Sequence, residues 1–229
     1  LRVLRQAQTS LEELIASGSI DSSLEHVLRA VVERRASFLV TGGTGSGKTT
    51  LLAALLGCVP VTERLLIIED TPELSPNHPH VVTLVSRRAN AEGRGEISMS
   101  LLLRQALRMR PDRIVVGEIR GAEVVELLAA LNTGHDGGAG TVHANSVDEV
   151  PARMEALAAL GGLDRVALHS QLAAAVHVVL GMERTPEGRR LAHLGVLEGN
   201  PVTPQLVWTA EDGPLPGFAQ LCSRLGVEP

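Results

Sequence analysis

The chain has 229 residues, 44% apolar and 21% charged, with a formal net charge of −5 at pH 7. This balance suits one large globular domain or two small ones, and it excludes a disordered, collagen-like or disulfide-stapled chain. The longest apolar stretch, Leu51–Val61, runs 11 residues and contains Gly57 and Pro60, whereas a membrane-spanning helix needs about 20.

Cys58 and Cys222 lie far apart without metal-ligand spacing, which fits a reducing compartment and no disulfide framework. With no Tyr, two Phe and one Trp, the chain has almost no stacking platforms for single-stranded nucleic acid. Its negative charge offers no general field for a polyanion. The sequence opens at Leu1 with no signal-peptide pattern, and a fragment of a longer protein is expected.

Residues 1–9 read as the end of an extended segment, and helical periodicity follows over Ser10–Ala16 and Ser22–Arg34, each opening at a Ser able to cap it. From residue 36 short apolar strands alternate with helices. Strands are expected over Ser37–Thr41, Leu65–Glu69, His80–Val85, Arg113–Gly117 and Ala139–His143. Helices are expected over Lys48–Leu56, Ser98–Met109, Ala122–Leu131 and Val147–Leu160. That alternation predicts an α/β fold, a mostly parallel sheet covered by helices on both faces. Ser170–Met182 reads as helix then strand. Beyond it come short β segments, and the Pro and Gly residues of 199–217 predict a loose, peripheral end.

Gly42, Gly43, Thr44, Gly45, Ser46, Gly47, Lys48 and Thr49 follow the apolar run Phe38–Val40. They match G-x-x-x-x-G-K-[ST] in its strand–loop–helix setting. Glycines let backbone N–H groups turn inward around phosphate oxygens at the positive end of the next helix. Lys48 is a compact three-donor cation able to bridge β- and γ-phosphates, and the Thr49 hydroxyl can ligate Mg²⁺. Of 21 basic residues, Lys48 is the single lysine. A bulky Arg fork would not serve this point-charge role.

Two further strands end in acids, at the edge where parallel sheets bind ligands. Glu69, Asp70 and Glu73 follow Leu65–Ile68 and could hold Mg²⁺ through water or polarise a nucleophilic water. Read alone, they could equally be ordinary polar residues closing a strand. Glu118 closes Arg113–Gly117 as the one carboxylate at that tip, placed to ligate magnesium or to orient an attacking water. His135 and His143, eight residues apart with no third ligand between them, do not suit zinc. His143, at a strand's end, could donate to a γ-phosphate; a structural role is the other reading. Arg87, Arg88, Arg94, Arg104, Arg108, Arg110, Arg113 and Arg120 form a cluster. It is either a solvated face or a source of charge reaching across a subunit interface.

Taken in this order, GGTGSGKTT, IIEDTPEL, the long run from RRANAEGRGEISMS to LNTGHDG, and GTVHANS make residues 36–185 resemble the type II/type IV secretion ATPases (traffic ATPases). The branch serving tight-adherence (Tad, Flp-type) pili is the most similar. The resemblance implies a RecA-like P-loop ATPase domain in a hexameric ring, using ATP and Mg²⁺. The ring would be cytoplasmic, peripheral at the inner face of the membrane and docked on secretion or pilus platform proteins.

Carried over by position, Gly42 to Thr50 (with Thr50 included) form Walker A, Lys48 acts on phosphate, and Thr49 and Glu118 hold Mg²⁺ directly or through water. Glu118 is the catalytic glutamate, Glu69, Asp70 and Glu73 assist metal and water, and His143 senses the γ-phosphate. Arg120, with Arg108 and Arg110, is a phosphate or interface contact. Because relatives carry an N-terminal domain, residues 1–20 are expected to be its remnant or linker, 21–200 the ATPase domain and 201–229 a peripheral tail. The tetracysteine zinc motif of some relatives has no counterpart here. Two other classes stay open: a RecA-like nucleic-acid motor, disfavoured by charge and missing aromatics, and a nucleotide-binding regulator with little turnover.

Overall fold

Strands buried along their whole length need cover on both faces, and the chain supplies it by following most of its parallel strands with a helix. The computed structural model describes residues 9–229. All but the last residue of the extended segment expected over 1–9 lies outside these. In chain order the elements are α1 (Leu11–Ala16), α2 (Glu25–Glu33), β1 (Phe38–Thr41), α3 (Lys48–Gly57), β2 (Leu65–Glu69), β3 (Val81–Val85), α4 (Met99–Ala106), β4 (Arg113–Ile119) and α5 (Glu123–Leu131). They continue with β5 (Ala139–Val142), α6 (Val150–Leu160), α7 (Arg165–Ala175), β6 (Val178–Thr185), β7 (Gly188–Glu198), β8 (Thr203–Thr209), β9 (Gly213–Pro214) and α8 (Phe218–Leu225).

One sheet runs β3-β2-β4-β5-β1-β6-β7-β8-β9. The first six strands are parallel and the last three antiparallel. The two-residue period of a strand divides the core. Phe38, Val40, Leu65, Ile67 and Val115 join α1, α2, α3 and α8 on one face. Leu39, Leu66, Ile68, Ile114 and Val116 join α4, α5, α6 and α7 on the other. Among the described residues no helix is long and apolar enough to cross a membrane.

The helix starts have local causes. Ser10 and Glu13 form a reciprocal capping box on α1. Asp21, not Ser22, caps the short 3₁₀ turn that leads into α2. Pro151 sits in the first turn of α6, where its missing N–H costs nothing. Helix α6 therefore begins at Val150 rather than at Val147.

The carboxyl-terminal third departs most from expectation. The short β segments expected there are β7, β8 and β9, but the end is not loose: α8 closes it, and Val207, Trp208, Phe218, Leu221, Cys222 and Leu225 are buried in the α3-side core. Leu11, Leu14 and Ile20, in the segment expected to be a linker, pack into the same core.

Arg113 also departs from its reading as part of a surface or interface cluster. It is 1% exposed. Its guanidinium donates to Glu63 Oε2 at 2.6 Å and to the Val32 carbonyl at 2.8 Å. Arg35 adds a second contact to Glu63 at 3.0 Å. Burial pushes the Glu63 carboxyl up, but the hydrogen bonds and charges of Arg113 and Arg35 outweigh it and hold the group below its ordinary value. That contribution to stability is present above pH 4.5 and lost as pH falls through the lowered value. Arg113→Met strands a buried carboxylate and is expected to cost about 3 kcal/mol or more in urea unfolding at pH 7. Adding Glu63→Gln should recover much of that loss; a single variant as stable as the wild type would show that Arg35 alone neutralises Glu63.

Candidate active site

The loop Gly42–Gly47 leaves β1 and opens α3. Gly42 has φ +142°, and a Cβ there would lie 2.3 Å from the Met182 carbonyl oxygen and 2.6 Å from Ser46 Oγ, so only glycine fits. Gly47, in left-handed conformation, is the N-cap of α3 and offers no side chain to its free N–H groups. These remain for a ligand. Lys48 is buried, and its Nζ donates to the carbonyls of Gly42 at 2.8 Å and Gly43 at 2.9 Å. Burial pushes its ammonium below the ordinary lysine value, Glu118 pulls it back up, and Arg120 lowers it again.

Beside the loop, a cavity of about 170 Å³ is lined by Thr49, Glu69, Asp70, Thr71, Glu73, Gly117, Glu118 and Arg120. The two acid-bearing segments of the sequence, after β2 and at the end of β4, thus converge on one side of the phosphate loop. Glu69, 2% exposed, holds the turn that follows β2: its Oε1 accepts from the N–H groups of Glu73 at 3.0 Å and Leu74 at 2.9 Å. It packs against the bare Cα of Gly117, where a Cβ would lie 2.6 Å from Glu69 Cγ.

Glu118 escapes the regular inward–outward alternation because β4 is bulged there. Val116 pairs with Gly140 and Ile119 with Val142, so β4 carries one residue more than β5 over this span. Arg120, 58% exposed, donates to Asp70 at 2.8 Å and Glu118 at 2.6 Å. It braces the two acids, and its guanidinium is held charged mainly by the Glu118 hydrogen bond.

The donor set fits a nucleotide with Mg²⁺. Among the described residues, Ser46 Oγ and Glu69 Oε2 are buried without a hydrogen-bond partner. Each is the kind of orphan atom that a ligand or its water shell satisfies. The cavity combines a hydroxyl with several carboxylate oxygens, the hard donors magnesium takes.

Other predicted residues disperse. His143 is exposed just beyond β5, at the edge shared with the loop, but does not line the cavity. His135 lies before β5, at the opposite edge. Arg108 and Arg110 precede β4, on that far edge too, and so cannot meet this chain's own loop. Arg104 pairs with Glu126 at 2.7 Å. Arg87, Arg88 and Arg94 occupy the exposed loop after β3.

Several supports fall outside the sequence motifs. Glu123 Oε1 accepts from the N–H groups of Arg120 and Gly121 at 2.7 and 2.8 Å. Thr141 Oγ1 donates to the Gly117 carbonyl at 2.7 Å, and Thr41 Oγ1 to that of Ala144 at 2.8 Å. An acid three residues after Arg120 at a helix start is a capping signal that could have pointed to Glu123.

Residues 1–187 match the family model described as Type II/IV secretion system protein. The chain belongs to this family. It is 63% identical over 217 residues to a Mycobacterium tuberculosis (strain H37Rv) protein named for conjugal transfer, covering 93% of this chain and 61% of that one. It is similar to the VirB11 ATPase of the Brucella suis type IV secretion system, solved with sulphate. There the TM-score is 0.66 at 27% identity, over 86% of this chain and 64% of the other. The pilus retraction motor PilT, solved with ADP, matches at a TM-score of 0.55 and 28% identity, over 82% and 52%. The parallel sheet with antiparallel C-terminal strands is the RecA-like fold of these secretion proteins. The chain spans less than two thirds of curated relatives it matches, 61% and 54% of the lengths of two of them.

Burial raises the Glu69 carboxyl above its ordinary value of 4.5, more than the Glu73 and Leu74 N–H groups lower it, with the charges of Glu73 and Asp70 adding to the rise. A raised carboxyl binds its proton more tightly in the folded chain, so stability falls as pH climbs from 4.5 through the raised value. Glu69→Gln keeps the acceptor for the turn and removes that charge. Its urea midpoint at pH 7 is expected to equal or exceed the wild type's, with a flatter profile between pH 4.5 and 7. A midpoint well below the wild type's would mean that the ionised carboxylate supports the fold.

Proposed function

We propose that this chain is the ATP-hydrolysing domain of a secretion-type motor, coupling turnover to protein secretion or pilus assembly. One observation carries the reading: the single lysine is buried against phosphate-loop carbonyls while two acid-bearing segments close one cavity beside Thr49. The loop N–H groups and Lys48 bind the β- and γ-phosphates, and the Thr50 N–H and hydroxyl extend that contact. Thr49 and Glu118, with Asp70 and Glu73 through water, would hold Mg²⁺. When bound, the metal neutralises charge that develops on the phosphates.

Glu118 orients the attacking water and takes its proton, with Arg120 as the positioning residue between it and Asp70. Glu69 sets the turn that carries Asp70 and Glu73. His143, at the shared edge, reports loss of the γ-phosphate to the loop after β5.

Family membership supports a ring of six identical subunits at the cytoplasmic face of a membrane platform. In such a ring Arg108 or Arg110, remote from the chain's own loop, would face a neighbour's nucleotide. The tight-adherence branch is supported by the motif resemblance, and a secretion role by the conjugal-transfer and VirB11 names of similar proteins.

Lys48→Ala and Glu118→Gln are each expected to lower ATP turnover at least about 100-fold. The Gln variant should still bind ATP, because it keeps the shape and loses only the base. Single-turnover hydrolysis and equilibrium nucleotide binding on the same samples check this. Near-normal hydrolysis by either variant would remove that residue from the mechanism.

A further inference from the structure

The β6–β7 hairpin sorts its charges by face. Glu183 stands opposite Arg190, whose Nη2 lies 3.6 Å from Glu183 Oε2. The neighbouring position pairs Arg184 with Arg189. Successive strand residues point to opposite faces, so the mixed pair occupies one face and the two arginines the other. Like charges directly opposite one another destabilise a sheet. Both arginines are exposed, and among the described residues neither guanidinium has a hydrogen-bond or ion-pair partner.

What lies beneath them is the phosphate loop. A Cβ on Gly47 would come within 3.2 Å of Arg189 Cδ, and one on Gly45 within 3.9 Å of Arg184 Nη1. Both glycines have positive φ, +100° and +74°, so bare backbone faces the two side chains. The hairpin reaches the loop from the β6 side of β1, whereas Glu118 approaches from β4, beyond β5 on the other side. Two unpaired cations held opposite each other over a phosphate-type loop are an arrangement that an anion completes.

We propose that Arg184 and Arg189 form a clamp, contributed by the same chain, that grips the phosphate chain of a bound nucleotide on the flank opposite Glu118. The proposal rests on the nucleotide reading of the loop. Lys48 and the loop N–H groups grip the phosphates from the loop itself, and the hairpin arginines close over them. Cation pairing that is unfavourable in the free protein becomes favourable once the diphosphate lies between the guanidiniums.

The test is calorimetric titration of ADP into the wild-type chain and into the Lys48→Ala, Arg184→Gln, Arg189→Gln and double Arg184→Gln/Arg189→Gln variants, with ligand-free melting of each. Each single glutamine variant is expected to weaken ADP about fivefold to tenfold and the double variant more than tenfold, as loss of charge-assisted hydrogen bonds implies. Arg189→Lys should retain most of the affinity. Ligand-free melting temperatures should stay level or rise, because repulsion is relieved. If the double variant binds ADP within twofold of wild type while Lys48→Ala does not bind, the clamp is wrong and the nucleotide site stands. A fall in ligand-free stability would assign the pair to the fold and also overturn the clamp. Failure of the wild type itself to bind ADP would remove the nucleotide reading, and the clamp with it.

Discussion

The site side of the sheet depends on one buried carboxylate. Glu69 ends β2 inside the protein with one oxygen tied to the N–H groups of Glu73 and Leu74 and the other left without a partner. That bond shapes the turn presenting Asp70 and Glu73, and its contact with Gly117 fixes how closely β2 and the bulged end of β4 approach. An unsatisfied buried oxygen is costly by itself. Its retention beside an acid-lined cavity is the pattern expected where stability is exchanged for a binding site.

Charge around the phosphate loop is laid out in layers. Lys48 lies deepest, on the carbonyls of Gly42 and Gly43, and Arg120 is already committed to Asp70 and Glu118. Acids therefore dominate one flank, where a metal and a water need them. The β6–β7 hairpin supplies cations on the other. The antiparallel half of the sheet thus brings an element over the loop that a purely parallel fold would not have there.

The parallel half was readable because strands buried on both faces appear as plain apolar runs: β2 falls on the expected residues, and β1 and β5 within one residue at an end; the half-exposed edge strand β3 kept a mostly apolar run, Val81–Val85, and also falls within one residue. The site-bearing motifs were readable for a related reason, since each follows such a run directly. The C-terminal strands were legible only as short β segments, without bounds or pairing. β7 begins Gly188-Arg189-Arg190, β8 contains Pro204, and their pairing is supplied by neighbours rather than by their own pattern. Helix α8 did carry a signal, Phe218, Leu221, Cys222 and Leu225 at helical spacing between Gly217 and Gly226. The density of Pro and Gly just before it outweighed that pattern. Arg113 was misplaced because nothing local marks an arginine as buried; its partners Glu63 and Val32 come from distant segments.

The two margins of the nine-stranded sheet are finished differently. At one end, β9 is only Gly213–Pro214, and a proline in so short a strand gives an incoming chain little to pair with. At the other, β3 presents five residues, ending at Val85, which is 41% exposed. Strand addition, whether by another copy in a concentrated solution or by an extended peptide, is thereby confined to the β3 margin. That margin lies two strands from Glu118 and on the far side of it from the hairpin arginines, so aggregation and chemistry meet solvent at separate places on the same sheet.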